Sequence, residues 1–283
     1  VKYIRRGITV VLRSLRKNAM PKTCFRIISC FIILALLLIR IPSATAASLT
    51  AGADDFVITV KTDNHGTSSD TQFTIPTYPG ETYNYNVDCN NDGLDEATGQ
   101  TGNYTCNYGS AGTYTLRIEG TFPRIYFLLS YDRLKILSIE QWGTGAWTSM
   151  QAAFLGCSNL VINASDTPNL SAVTDLSNMF STATAIGGGT GNWNWNTSNV
   201  TNMSHVFDFA ANFNKYIGSW DVSNVTNMQG MFNSATSFNQ NISSWNVSSV
   251  TDMSEMFRNA KAFNQNINSW NVSSVTDMSE MFR

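Results

Sequence analysis

Two periodicities divide the chain. From Ala47 to about Phe122, apolar and polar residues alternate: Phe56-Ile58-Val60, Tyr83-Tyr85-Val87 and Tyr114-Leu116-Ile118. Period two puts successive side chains on opposite faces of an extended backbone, so these segments predict half-buried strands. Clusters of Gly, Asn, Asp and Pro at 62–70, 78–80 and 90–102 separate them and predict turns. The expectation for residues 47–125 is a small antiparallel β-sandwich.

The second half repeats. Trp195, Trp220, Trp245 and Trp270 recur every 25 residues, and the series from Val200, Met203 and Phe207 keep the same step. Such a period marks one supersecondary unit per repeat, too small to close its own core and stabilised by its neighbours. Within a unit, Met253, Met256, Phe257 and Ala260 fall at i, i+3, i+4 and i+7, which predicts a two-turn helix over 253–260, with Asp252 and Glu255 as a capping box. The remainder, anchored by Ile267, Trp270 and Val272, predicts one short strand per repeat, stacked into a parallel ribbon. Val173 to Phe180 matches Val200 to Phe207 at a 27-residue step, and Met150 with Phe154 marks an earlier unit, giving about six repeats over 126–283. The last one is expected to be truncated at Arg283.

The string from Ser219 to Phe232, Ser-Trp-Asp-Val-Ser-Asn-Val-Thr-Asn-Met-Gln-Gly-Met-Phe, followed by Phe238-Asn-Gln-Asn-Ile242, resembles the bacterial surface protein 26-residue repeat of BspA-like leucine-rich-repeat proteins. The resemblance covers roughly Leu134 to Arg283, although this copy uses Met and Phe where leucine is typical. It implies an exported leucine-rich-repeat-like α/β solenoid, with some relatives used in adhesion. The expected fold class is therefore mainly β with short helices, the sandwich preceding the solenoid. The stretch Tyr108 to Ile118, with the Asp92-Gly93 turn, resembles polycystic-kidney-disease-type immunoglobulin-like domains.

Residues 1–46 hold nine Lys or Arg and no acid, and the 13-residue apolar run from Ile27 to Ile39 precedes Ala44-Thr45-Ala46. The run is shorter than the roughly 20 residues of a membrane-spanning helix, so this is read as a signal peptide cleaved between Ala46 and Ala47, leaving no membrane span in the mature chain, with an uncleaved anchor as the weaker alternative. Cleavage leaves nine of the 18 basic residues against 20 acidic ones, a formal charge near −11. With its cations scattered as singles, such a chain has no footprint for nucleic acid.

Export makes a disulfide possible. Cys89 shares the parity of Tyr83, Tyr85 and Val87, and Cys106 that of Tyr104 and Tyr108, so both face inward and are expected to pair; two buried thiols are the alternative. Cys157 reads as a small buried hydrophobe. Asp88, Asn90 and Asp92, followed by Gly93, place oxygens as the first half of a calcium loop does, but position twelve is Gly99. A calcium site there competes with a plain Asp-Gly turn.

No residue pattern points to catalysis. His205 occupies a position filled by Gly230, Glu255 and Glu280 in later repeats, and Asp252 and Glu255 reappear as Asp277 and Glu280, so none is a unique acid or base. The Trp row could be a core step or, if exposed, a glycan-binding strip. Recognition can be written where the units differ, which singles out Lys215, Tyr216, Arg258 and Lys261 as contacts. The expected function is a non-catalytic, secreted or cell-surface protein binding a protein or glycan on a host, matrix or neighbouring cell. A carbohydrate-binding module and a structural spacer displaying a further domain are the alternatives.

Overall fold

The three alternating segments are strands, and five more join them. The computed structural model describes residues 51–129 and 131–283; the apolar run, Cys24, Cys30 and the Ala46/Ala47 cleavage point lie outside the described residues. In chain order the strands are β1 (Phe56–Lys61), β2 (Gln72–Ile75), β3 (Asn84–Asp88), β4 (Ala97–Gln100), β5 (Tyr104–Asn107), β6 (Thr113–Thr121), β7 (Ile136–Gln141) and β8 (Val161–Ile162). One sheet has the order β4-β3-β6-β1-β7-β8, and β2 pairs with β5 in a second. β1 runs antiparallel to β6 with Ile58 opposite Leu116, and antiparallel to β7 with Val60 opposite Ile136. The sheet thus crosses position 125 without a break, and its edge strand β8 pairs with β7 in parallel.

Cys89, just after β3, is joined by a disulfide to Cys106 in β5, with the Cα atoms 5.8 Å apart, and so ties one sheet to the other. A second tie is a buried ion pair. The Lys135 ammonium, fully buried, donates to Ser68 Oγ and to the carbonyl oxygens of Ser68, Ser69 and Gln72, while Asp132 accepts the amides of Thr67, Ser68 and Thr74. Nζ lies 3.9 Å from Asp132 Oδ1. Burying two charges is tolerable only when each is surrounded by hydrogen-bonding partners, which this arrangement supplies.

The repeats depart from the expectation. Among the described residues there is no helix, and residues 173–283 contain no strand: β-type pairing between successive units is limited to single parallel bridges, Asp175 to Asn202, Asn202 to Asn227, Asn227 to Asp252 and Asp252 to Asp277. The leucine-rich-repeat-like α/β solenoid with its short helices and strand ribbon is therefore not what this sequence forms. The segment expected to be helical is a run of tight turns. Met256 N bonds to Met253 O, Arg258 N to Glu255 O and Ala260 N to Phe257 O, while the intervening amides of Met253, Glu255, Phe257 and Asn259 reach the carbonyls of Asp277, Ser279, Met281 and Arg283 in the next repeat. Glu255 and Asn259 adopt φ of 56°.

One local and one inter-repeat effect explain the difference. The Asp252 carboxylate accepts the amide of Ser254, and Asn202, Asn227 and Asp277 do the same two residues on, closing Asx turns instead of a helix cap. An eight-residue helix is also marginal on its own, whereas the adjacent unit offers carbonyl acceptors at 2.8–3.0 Å. The i, i+3, i+4, i+7 positions still face inward. Met253 and Met256 are buried, and Phe154, Phe180, Phe207, Phe232 and Phe257 stack along the core with centroids 5.6–5.9 Å apart. Burying each ring contributes about 2 kcal/mol and stacking about 1 more.

Candidate functional site

The repeated residues are spent on structure. Trp195, Trp220, Trp245 and Trp270 are at most 9% exposed, and the indoles of the last three donate to the carbonyls of Trp193, Ile217 and Ile242. No indole face of this row lies open for a sugar ring. The Asn series forms a second ladder: Asn239 N donates to Asn214 Oδ1 and Asn264 N to Asn239 Oδ1, with Gln240 and Gln265 bracing the same carboxamides.

The structure does not bring the four expected contact residues together. Arg258 is clasped between Glu255 at 2.9 Å and Glu280 at 3.2 Å, so its guanidinium is committed to intramolecular partners. Lys261 is exposed and borders a shallow depression with Phe263 and Phe282. Lys215 and Tyr216 border a different one. There the Lys215 ammonium donates to the Gly189 carbonyl at 2.8 Å, and Tyr216 stands 59% exposed beside Trp193, Asn192, Asn194 and Ser219 around a volume of about 350 Å³.

A larger depression of about 720 Å³ adjoins it, because Asn192 lines both. Its walls include Gln141, Thr144, Ser165, Asp166, Asn169 and Asn196. Asn192 is a fixed partition: its Nδ2 donates to Ser165 O, and its Oδ1 accepts Asn194 N. The alternation from Asn192 to Thr197 sends Trp193, Trp195 and Thr197 inward and Asn192, Asn194 and Asn196 outward, so carboxamides line the rim. Sequence reasoning had Lys215 and Tyr216 but missed Trp193, Asn192 and Asn196. The usable signal was irregularity: 25 residues beyond Trp193 stands Gly218, and 25 beyond Tyr216 stands Asn241.

A family model described as "Mycoplasma protein of unknown function, DUF285" matches residues 129–194 and again 190–283, together more than half of the chain. The chain belongs to this family. No curated protein and no solved structure matches it. Apart from the Ala53 wall, the residues of the joined cleft lie within the DUF285 matches.

Elsewhere in this DUF285 chain the carboxylates are engaged. Asp88, expected as a calcium ligand with Asn90 and Asp92, is buried and accepts the amides of Asn90, Asp92 and Gly93, while Arg117 lies 3.3 Å from its Oδ2. Asn90 Oδ1 accepts Asp92 N, Asp92 Oδ1 accepts Leu94 N, and Glu96 accepts Cys89 N. These are the bonds of a closed Asx-rich turn, in which the oxygens point at amides rather than at a shared ion. Among the described residues no group of three or more His, Cys, Asp or Glu is placed to hold a metal, and no helix is long and apolar enough to cross a membrane.

His205 sits at a turn position with φ 56°, and its Nδ1 is 3.4 Å from Asp208 Oδ2. Asp208, with Glu255 and Gln229 adding to it, holds the imidazole above its ordinary pKa, while partial burial works the other way. The Cys157 thiol is fully buried and is pushed far up by desolvation, which makes it unreactive.

Proposed function

We propose that this chain is an exported, non-catalytic recognition protein that attaches to a component of a host, matrix or neighbouring cell through the cleft at Asn192. One observation carries the reading: the repeated Trp, Phe and Asn residues are consumed by packing, whereas Lys215 and Tyr216, which do not repeat, border one depression with Trp193 buried behind it. A regular scaffold with a local cluster of irregular residues is suited to binding. Export is supported by the basic, apolar N-terminal segment and by the Cys89–Cys106 disulfide, which persists in oxidising compartments. The resemblance to BspA-like surface repeats points the same way.

The test is a binding screen of the full chain against immobilised matrix proteins and glycans, with Tyr216→Ala and Lys215→Glu in parallel. Saturable binding that either substitution weakens supports the reading. Binding to nothing, or binding indifferent to both substitutions, removes the cleft from the account and leaves a spacer.

A further inference from the structure

We propose that the joined cleft takes a short neutral saccharide chain, laid across Asn192 with one ring against Tyr216. The inference rests on the recognition reading above and adds the chemical class of the ligand.

Charge narrows the choice first. The larger arm has no Lys, Arg or His in its walls and carries Asp166 and Glu140, so it repels an anionic ligand. Those two carboxylates do not call for a cation either. Asp166 already accepts the amides of Trp142 and Gly143, and Glu140 accepts bonds from Thr59 and Asn163. Among the described residues that line this arm, the side-chain polar groups bonded to no other described residue are neutral: the Asn196 amide nitrogen, Gln141 Oε1 and the hydroxyls of Ser165, Thr167 and Ser171. The other half of each carboxamide is held, since Asn196 Oδ1 accepts Ser198 N and Gln141 Nε2 donates to the carbonyls of Gly52 and Asp55. Fixed amides and hydroxyls, both donors and acceptors, match a ligand made of hydroxyl groups.

The narrow arm supplies the complementary half of such a site. Tyr216 is an exposed aromatic at the rim, and Trp193 forms the floor behind exposed Asn194. An aromatic face takes the C–H side of a sugar ring while the adjacent carboxamide takes its hydroxyls. The volumes, about 720 and 350 Å³, each fall within the range of small-ligand sites, so two that share a wall suit linked rings better than a single one.

A peptide fits less well. Extended peptides gain affinity by adding to a free strand edge. Here the edge of β8 and the residues after it are covered, because Gly191 N donates to Ile162 O and Asn192 N to Ala164 O. The walls are also held by the stack before any ligand arrives, which lowers the ordering cost of binding.

The experiment is isothermal titration of the full chain with neutral oligosaccharides (β-glucan, mannan and xylan fragments), an acidic oligosaccharide and a matrix protein. It is repeated on Tyr216→Ala, Asn196→Ala and the distant Glu119→Gln, with thermal unfolding to verify folding. The expected result is saturable binding of at least one neutral oligosaccharide, weakened about tenfold by each cleft variant and unchanged in Glu119→Gln. Binding only to the acidic sugar, abolished by salt, overturns the inference, as does neutral-sugar binding that both cleft variants retain. Binding only to the matrix protein, weakened by Tyr216→Ala, overturns the saccharide and leaves the recognition reading standing. Binding to none of the ligands overturns both.

Discussion

The indole Nε1 of Trp245 donates to the carbonyl oxygen of Ile217, 3.2 Å away in the preceding repeat, and Trp270 makes the same bond to Ile242. One side chain thus closes an apolar core step and satisfies a turn carbonyl of its neighbour. Replacing Trp245 by Phe keeps most of the apolar area but removes one of the two bonds that the Ile217 carbonyl accepts, the Trp220 amide remaining as the other, a loss of about 1 kcal/mol. Trp245→Phe is expected to lower the urea midpoint, and the wild-type chain to emit in the blue and resist iodide quenching. Red emission with full quenching would place the row at the surface.

Phe232 is fully buried between Phe207 and Phe257 and packs on Phe238 with centroids 3.9 Å apart. Phe232→Ala opens a cavity that the stacked neighbours on either side cannot close. A loss of about 3–5 kcal/mol is expected from chemical denaturation. A change under 1 kcal/mol would show that the column repacks.

Removing one partner of the Lys135–Asp132 pair strands a buried charge. Lys135→Met is therefore expected to cost about 3–5 kcal/mol, because Asp132 and the carbonyls of Ser68, Ser69 and Gln72 all lose their cation. Lys135→Met with Asp132→Asn should recover part of the loss in a double-mutant cycle. Additive losses would show that the two charges act separately.

The raised pKa of His205 makes a small part of the stability pH-dependent. A group whose folded pKa exceeds the unfolded value of about 6.5 contributes fully below that value and loses its contribution as pH rises through the folded pKa. The stability difference between wild type and His205→Gln should then be largest near pH 6 and shrink above it, by less than about 1 kcal/mol because the pair is partly exposed. A difference that stays flat or grows with pH would contradict the Asp208 pairing.

Reducing the Cys89–Cys106 bond releases a loop of sequence separation 17 and unties β3 from β5. A loss of about 3 kcal/mol is expected. Equal denaturation midpoints with and without reductant would indicate that the sheets hold without it.

Much of the molecule was legible one residue at a time. Alternation from Phe56 to Val60 placed a strand because side-chain direction in an extended chain depends only on parity. The spacing of Met253, Met256, Phe257 and Ala260 identified four inward positions, and the 25-residue step identified their stacking partners. The backbone that presents them was not legible. A helix and a chain of tight turns can bury the same spacing, and the choice depends on carbonyls one repeat away, at Asp277, Ser279 and Met281, and on Asx bonds such as Asp252 to Ser254. The cleft was hidden for a related reason. Asn192 joins its two arms, and Asp166 and Asn192 are brought together only when β8 is covered by the segment that follows the glycines. Composition and period thus determined which residues go inside and that the units stack. Contacts between units, each between residues about 25 positions apart, decided the backbone path and where the surface opens, because those hydrogen bonds exist only once the neighbouring repeat is in place.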